Sequence, residues 1–174
     1  MKVALDVDGC VADFYKAVCK KYNQDYNNPV LFWDTPFIVD NWKEIAADTT
    51  MWRGLEVMNE IDFDFHCYLT SVPTHIIEHR QFWIDSNSLP NKPLVVSYDK
   101  VAVAEEIGLD ILIDDKPANV EAWINSGRIA IQYIPYYSKM PIKSPHYTTN
   151  FSDIKPMLKH FKNKHDGEKR IKRV

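Results

Sequence analysis

Long apolar runs are missing from this 174-residue chain. Its uninterrupted hydrophobic stretches extend only a few residues, so no segment reads as a membrane-spanning helix. Cysteine is scarce as well. Cys10, Cys19 and Cys67 are odd in number and lack the paired spacing of a zinc site, which argues against a disulfide-stapled scaffold or a zinc finger. A reduced, intracellular, cytoplasmic protein is the expectation. The opening Met1-Lys2-Val3-Ala4-Leu5-Asp6 holds too short an apolar run for a secretory signal, so none is expected. Internal repeats and low-complexity segments are absent too.

What is there is ordinary in bulk and uneven in detail. Hydrophobic residues at 45% and charged residues at 26% suit a globular domain. The length allows one core, with room for a small insertion. The net charge of −3 is split, because residues 155–174 carry eight Lys/Arg against Asp166 and Glu168, leaving a clearly acidic body. Such a tail either tethers nucleic acid or forms a solvated helix end, and the second reading is the simpler one.

Hydrophobic periodicity gives the order of elements. Lys2 to Val7 reads as a buried strand stopping at Asp8-Gly9. Val11, Phe14, Tyr15, Val18, Cys19 and Tyr22 recur at helical spacing and give a helix with one apolar face. From Gln24 to Asp62 the pattern breaks into short aromatic-rich pieces punctuated by Asn27-Asn28-Pro29 and Thr35-Pro36, which suits a small, mostly helical insertion. Strands are then expected at Phe65–Leu69, Leu94–Ser97, Ile111–Ile113 and Ile129–Ile134. Helices fall between them around Ile76–Ile84, at Val101–Ile107 and at Ala118–Asn125. Strand alternating with helix predicts an α/β fold with a parallel sheet covered on both faces, whose ligand sits at the carboxyl ends of the strands.

Polar residues collect at those ends. The first strand stops in Asp6-Val7-Asp8-Gly9, the second in Thr70-Ser71, the third in Asp99-Lys100 and the fourth in Asp114-Asp115. Alternation along a strand points Asp6 and Asp8 the same way. Two carboxylates facing two more call for a cation, and oxygen ligands favour a hard ion such as Mg²⁺. Taken singly, each segment has a plainer reading. Asp114-Asp115 would cap the helix beginning near Pro117, Thr70-Ser71 would be turn residues, and Lys100 a surface lysine with Lys92 as its competitor. Asp6 resists that treatment, since a carboxylate closing an apolar strand is costly without a partner.

In this order the four segments resemble the motifs of haloacid dehalogenase (HAD) type phosphohydrolases. The resemblance implies a HAD-like Rossmannoid core over residues 1–23 and 63–160, a small helical cap over 24–62 and a basic tail over 161–174. It implies Asp6 as nucleophile, forming an aspartyl-phosphate, and Asp8 as acid and then base. Mg²⁺ would be held by Asp6, Asp8 and the Asp114-Asp115 pair, and the phosphoryl oxygens by Thr70, Ser71 and Lys100.

A narrower resemblance follows from Asp6-Val7-Asp8-Gly9-Cys10-Val11-Ala12-Asp13-Phe14, Leu69-Thr70-Ser71 and Leu112-Ile113-Asp114-Asp115-Lys116-Pro117. These are similar to the 5'(3')-deoxyribonucleotidases, which implies a (deoxy)nucleoside monophosphate substrate with Phe14 and Trp52 flanking the base. Phe32, Trp33, Phe37 and Trp42 are expected to build the core of the cap. Two alternatives stay open: a polynucleotide 3'-phosphatase or another small-molecule phosphatase of the same type, and a catalytically silent scaffold that only binds. His75-Ile76-Ile77-Glu78-His79 fits a zinc-peptidase pattern, but a helical wheel turns both histidines away from the apolar stripe of Ile76, Ile77, Arg80, Trp83 and Ile84, and no third ligand accompanies them.

Overall fold

Alternation within the first strand already divides the molecule in two, because Val3 and Leu5 enter one hydrophobic cluster and Ala4 the other. The computed structural model describes residues 1–27 and 35–171, with side chains at the carboxyl end described through 166. Phe32 and Trp33, the Asn28-Pro29 break, and Lys172 and Arg173 of the tail therefore lie outside the described residues.

The elements run β1 (Val3–Leu5), α1 (Phe14–Lys21), α2 (Pro36–Asp40), α3 (Trp42–Ala47), α4 (Thr49–Arg53), β2 (Cys67–Thr70), α5 (Ile77–Ser86) and β3 (Leu94–Val96). They continue with α6 (Lys100–Ile107), β4 (Ile111–Asp114), α7 (Pro117–Asn125), β5 (Ile129–Tyr133), β6 (Tyr147–Thr148) and α8 (Ile154–Ile171). Six strands form one sheet in the order β3-β2-β1-β4-β5-β6. Every pairing is parallel. The expected α/β architecture is thus what the chain adopts.

Each face of the sheet is buried by different helices. Val3, Leu5, Tyr68, Ile111, Ile113 and Ile131 pack with α1, α5 and α8 through Phe14, Trp83 and Phe161. Ala4, Cys67, Leu69, Leu112 and Ala130 pack with α6 and α7 through Ala104, Val120 and Trp123. Burial on both faces explains why these strands read as short continuous apolar runs. Gly108 closes α6 in the left-handed conformation with φ 71°, where a residue lacking Cβ costs least.

Two departures from the sequence reading have local causes. The series does not close at β5, because β6 adds a two-residue strand beside Gln132 and Tyr133. Its approach loop is held by the buried Gln132 side chain, whose Oε1 accepts from Lys143 N at 2.6 Å and whose Nε2 donates to Pro141 O at 2.9 Å. The helix around Ile76–Ile84 opens with a 3-10 turn at Thr74–Ile76 before α5 begins. Among the described residues no helix is long and apolar enough to cross a membrane.

Trp83 and Trp123 are both fully buried, yet only Trp83 uses its indole N–H, donating to Leu55 O at 2.7 Å. Trp123 Nε1 finds no hydrogen-bond partner among the described residues. Trp83→Phe should therefore cost about 1–3 kcal/mol more in urea unfolding than Trp123→Phe, because only the first leaves a buried carbonyl without its donor. Equal losses would show that the indole bond contributes nothing beyond packing.

Candidate active site

Strand order reverses between β1 and β4, the position at which a doubly wound sheet opens a crevice at its carboxyl edge. Asp6 N donates to Ile113 O at 2.9 Å, so the β1 register continues one residue beyond the strand. The chain then turns sharply. Val7 O accepts from Val11 N at 2.8 Å and Ala12 N at 2.9 Å, and Gly9 N donates to Ala12 O at 3.0 Å. Gly9 adopts φ 87°, and a Cβ there would meet Asp115 Oδ2 at 2.3 Å. Both the backbone sign and the close approach of Asp115 require glycine.

Into this crevice the fold places four buried carboxylates, Asp6, Asp8, Asp114 and Asp115, and two buried cations, Lys100 and Arg80. Lys100, the first residue of α6, donates from Nζ to Asp6 Oδ1 and to Asp114 Oδ2, each at 2.6 Å. Its competitor Lys92 lies elsewhere, paired at 2.7 Å with the exposed Asp64. Asp8 accepts from Arg80 Nη2 of α5 and from Thr70 Oγ1 at 3.3 Å. Arg80 was legible only as a member of an apolar helical stripe. Its guanidinium lies 5.1 Å from the Trp52 ring and 5.2 Å from the Trp83 ring, cation–π distances that let a charge occupy an apolar position.

Asp114 and Asp115 part company. Asp114 also accepts from Asn119 Nδ2 at 3.0 Å and from Lys116 N at 2.8 Å, which saturates its oxygens. Asp115 Oδ1 is buried without a hydrogen-bond partner among the described residues. Oxygens of Asp6 and Asp115 and the Cys10 sulfur lie within 4.8 Å of one another. A buried orphan carboxylate oxygen beside a second carboxylate fits a divalent cation, and Asp6 with Asp115 would hold it.

Electrostatics bear out the imbalance of charge. Burial pushes the Asp6 carboxyl up to about 7 against the pull of Lys100, with Asp114 and Asp8 adding to the rise. Burial raises Asp8 against the pull of Arg80 and Thr70. Burial, then Asp6 and Asp114, raise Asp115 well above the carboxylate range. For Lys100 burial works against the ammonium, but Asp114 and Asp6 outweigh it and keep the charge in place.

The crevice opens into a cavity of about 450 Å³ whose polar floor includes Asp6, Asp8, Thr70 and Ser71. Ser71 Oγ donates to Ser97 O at 2.7 Å. Its apolar wall comes from Ile38 and Val39 of α2, Trp42 of α3 and the exposed Tyr98. Phe14 and Trp52, expected to flank a base, do not line it. They stack on each other at 4.7 Å, both fully buried, since the amphipathic face of α1 packs onto α4 there. Phe14 instead backs Trp42 edge-on at 6.4 Å. Trp42, read as core, reaches the cavity while still packing on it, and Trp52 supports Arg80. The histidine pair contacts α3 and α4, and neither histidine joins a group of metal-ligand type among the described residues. His75 Nε2 lies 2.8 Å from Ala46 O, and His79 Nδ1 accepts from Arg53 at 2.7 Å.

Comparison with solved structures follows this geometry. A conserved haloacid dehalogenase-like protein of unknown function from Agrobacterium tumefaciens superposes with a TM-score of 0.61 at 8% identity, over 91% of this chain and 97% of that one. An L-2-haloacid dehalogenase gives 0.60 at 10% identity, over 91% and 98%. The UTR4 protein from Saccharomyces cerevisiae gives 0.53 at 11% identity, over 87% and 98%. The chain therefore has the haloacid dehalogenase-like fold. No family model matches its sequence, and neither does any curated protein.

Gly9→Ala should reposition Asp115 and cost about 1–3 kcal/mol of strain. The expected signature is a lowered Tm together with loss of the Mg²⁺-dependent rise in Tm that the unsubstituted protein should show, measured with Mg²⁺ or EDTA. An unchanged Mg²⁺ effect would remove Asp115 from the cation pocket.

Proposed function

We propose that the chain is a Mg²⁺-dependent phosphomonoesterase acting on (deoxy)nucleoside monophosphates, with Asp6 as nucleophile. The observation that carries this reading is the pair of carboxylates two residues apart, each given a different buried cation: Lys100 for Asp6 and Arg80 for Asp8. Asp6 attacks phosphorus and forms an aspartyl-phosphate, which water then hydrolyses. Asp8 protonates the departing alkoxide and later takes a proton from that water, a role suited to a carboxyl whose burial favours the protonated form. Lys100 and the hydroxyls of Thr70 and Ser71 stabilise phosphoryl oxygens as charge shifts. Mg²⁺ held by Asp6, Asp115 and the backbone carbonyl of Asp8 would neutralise phosphoryl charge.

One solved neighbour is a dehalogenase, whose name implies halide as leaving group. Halide departs without a proton, whereas a nucleoside alkoxide needs one, and a placed acid such as Asp8 therefore favours the phosphoester. For the base, Trp42 and Tyr98 are the aromatic residues lining the cavity among the described residues. The basic helix does not favour a polynucleotide substrate. His165 of α8 lies beside Met1, Asp110 and Ile129, at the amino-terminal ends of the strands and so opposite Asp6.

Phosphate release from ribo and deoxy 5'- and 3'-monophosphates, with Mg²⁺ or EDTA, tests the reading. Asp6→Asn should abolish release. Asp8→Asn should lose about 10²–10⁴-fold on nucleotides and less on an aryl phosphate, whose leaving group needs little protonation. Cleavage of the aryl phosphate alone would retain the chemistry and discard the substrate, halide release from a 2-haloacid would replace the reaction, and silence throughout would favour a binding scaffold. Trp42→Ala should weaken nucleotide KM by roughly 5–150-fold, the equivalent of about 1–3 kcal/mol of stacking, while an equal effect on aryl phosphate would deny base recognition.

A further inference from the structure

Cys10 stands immediately after the Gly9 turn, fully buried, and none of the chemistry above uses it. A buried cysteine is ordinarily a small core hydrophobe, and all three pack in hydrophobic clusters, Cys10 and Cys19 in one and Cys67 in the other. Cys10 differs in its company. Its sulfur belongs to the group formed with Asp6 and Asp115, all within 4.8 Å of one another, and neither of the other cysteines joins such a group among the described residues. In a tetrahedral site, metal–oxygen distances of about 2.1 Å and metal–sulfur distances of about 2.3 Å put donor atoms about 3.6 Å apart. A closure of at most about 1.2 Å, within reach of side-chain rotation, separates the present arrangement from ligation.

Two further observations point the same way. Asp115 Oδ1, on a side chain only 4% exposed, lacks a partner among the described residues and so offers a ready ligand beside the thiol. The Cys10 backbone is also held in place. Its N–H donates to Val7 O at 3.3 Å, and its carbonyl accepts from Asn59 Nδ2 at 2.7 Å. Asn59 in turn lies 3.1 Å from the Tyr133 hydroxyl of β5. The backbone that carries the sulfur is thus held from the sheet side and from the segment preceding β2.

We infer that the cation pocket is a mixed oxygen–sulfur site in which Cys10 joins Asp6 and Asp115, so that it takes thiophilic divalent ions, Zn²⁺ and Cd²⁺, more tightly than Mg²⁺. The inference rests on the cation pocket proposed above. Thiolate is a soft ligand that selects soft and borderline ions, whereas Mg²⁺ gains little from sulfur. On binding, a metal–sulfur bond forms, the S–H bond breaks, and the proton leaves to solvent. Zn²⁺ then competes with Mg²⁺ for the pocket that Asp6 and Asp115 share.

Titration of the metal-free 174-residue chain with Cd²⁺ tests this, read by the ultraviolet thiolate-to-cadmium charge-transfer band and by equilibrium dialysis. One equivalent should develop the band, and excess Mg²⁺ should displace it poorly. Cys10→Ser should lose the band and weaken Cd²⁺ binding by at least about 10–100-fold, the loss already seen when only an outer-shell partner of a metal ligand is removed. Cys19→Ala should keep the band. Should the Cys10 variant not fold, the ¹¹³Cd resonance of the unsubstituted protein decides, because sulfur ligation moves it far from the position of an all-oxygen site. A Mg²⁺-induced rise in Tm without any cadmium–sulfur signal would overturn the thiol ligand and leave the Mg²⁺ reading standing. Absence of both responses would overturn the cation pocket itself.

Discussion

The buried charge imbalance in the crevice governs the rest of this molecule. Asp6, Asp8, Asp114 and Asp115 are at most 5% exposed, and among the described residues only the cations Lys100 and Arg80 are buried with them. Removing one member of such a pair leaves an uncompensated buried charge, typically a loss of about 3–5 kcal/mol. The surrounding structure can be read as the means of holding these six groups. The sheet brings Asp6 and Asp114 side by side on adjacent strands, α6 delivers Lys100 between them, and α5 delivers Arg80 to Asp8. Burial, with repulsion from neighbouring carboxylates, raises the Asp6 and Asp115 carboxyls and so favours their protonated forms. A divalent cation, as proposed above, would offset the excess negative charge and favour Asp6 as an anion.

Support for that arrangement extends well beyond the residues that touch it. Trp52 and Trp83 flank the Arg80 guanidinium, Trp52 is anchored by its indole to Ile45 O at 3.0 Å, and Phe14 stacks on Trp52. The segment between α1 and β2 therefore both walls the cavity and props the cation that neutralises Asp8. Phe14 and Trp52 bear on the crevice through packing, since both are fully buried and stacked on each other.

Much of the site was legible because it is written at strand ends. Each of Asp6, Asp8, Thr70, Ser71, Lys100, Asp114 and Asp115 follows a short apolar run, and a parallel sheet brings such ends to one edge whatever the loops do. The groups that escaped notice are those whose role depends on a helix face or a loop approaching from elsewhere. Arg80 looked like an irregularity in an apolar stripe, and that irregularity was the available signal. Asn119 sits in the first turn of α7, where nothing in its neighbours marks it. Trp42 and Phe14 are both aromatic and both near the cavity, and only packing determines which one faces it. Strand β6 is two residues long and depends on the Gln132 side chain for its approach, beyond the reach of any periodicity.

By itself the sequence determined the alternation of strands and helices, the burial of the sheet on both faces, and the gathering of carboxylates at its carboxyl edge, because these follow from local periodicity and from the topology of parallel strands. Tertiary structure alone decided which carboxylate each cation neutralises, that Asp114 is saturated while one Asp115 oxygen finds no partner among the described residues, that Trp42 and Tyr98 rather than Phe14 and Trp52 line the cavity, and that the Cys10 sulfur sits beside Asp6 and Asp115. Those outcomes turn on distances of a few ångströms between residues far apart in the chain, and side-chain distances at that scale are set by packing.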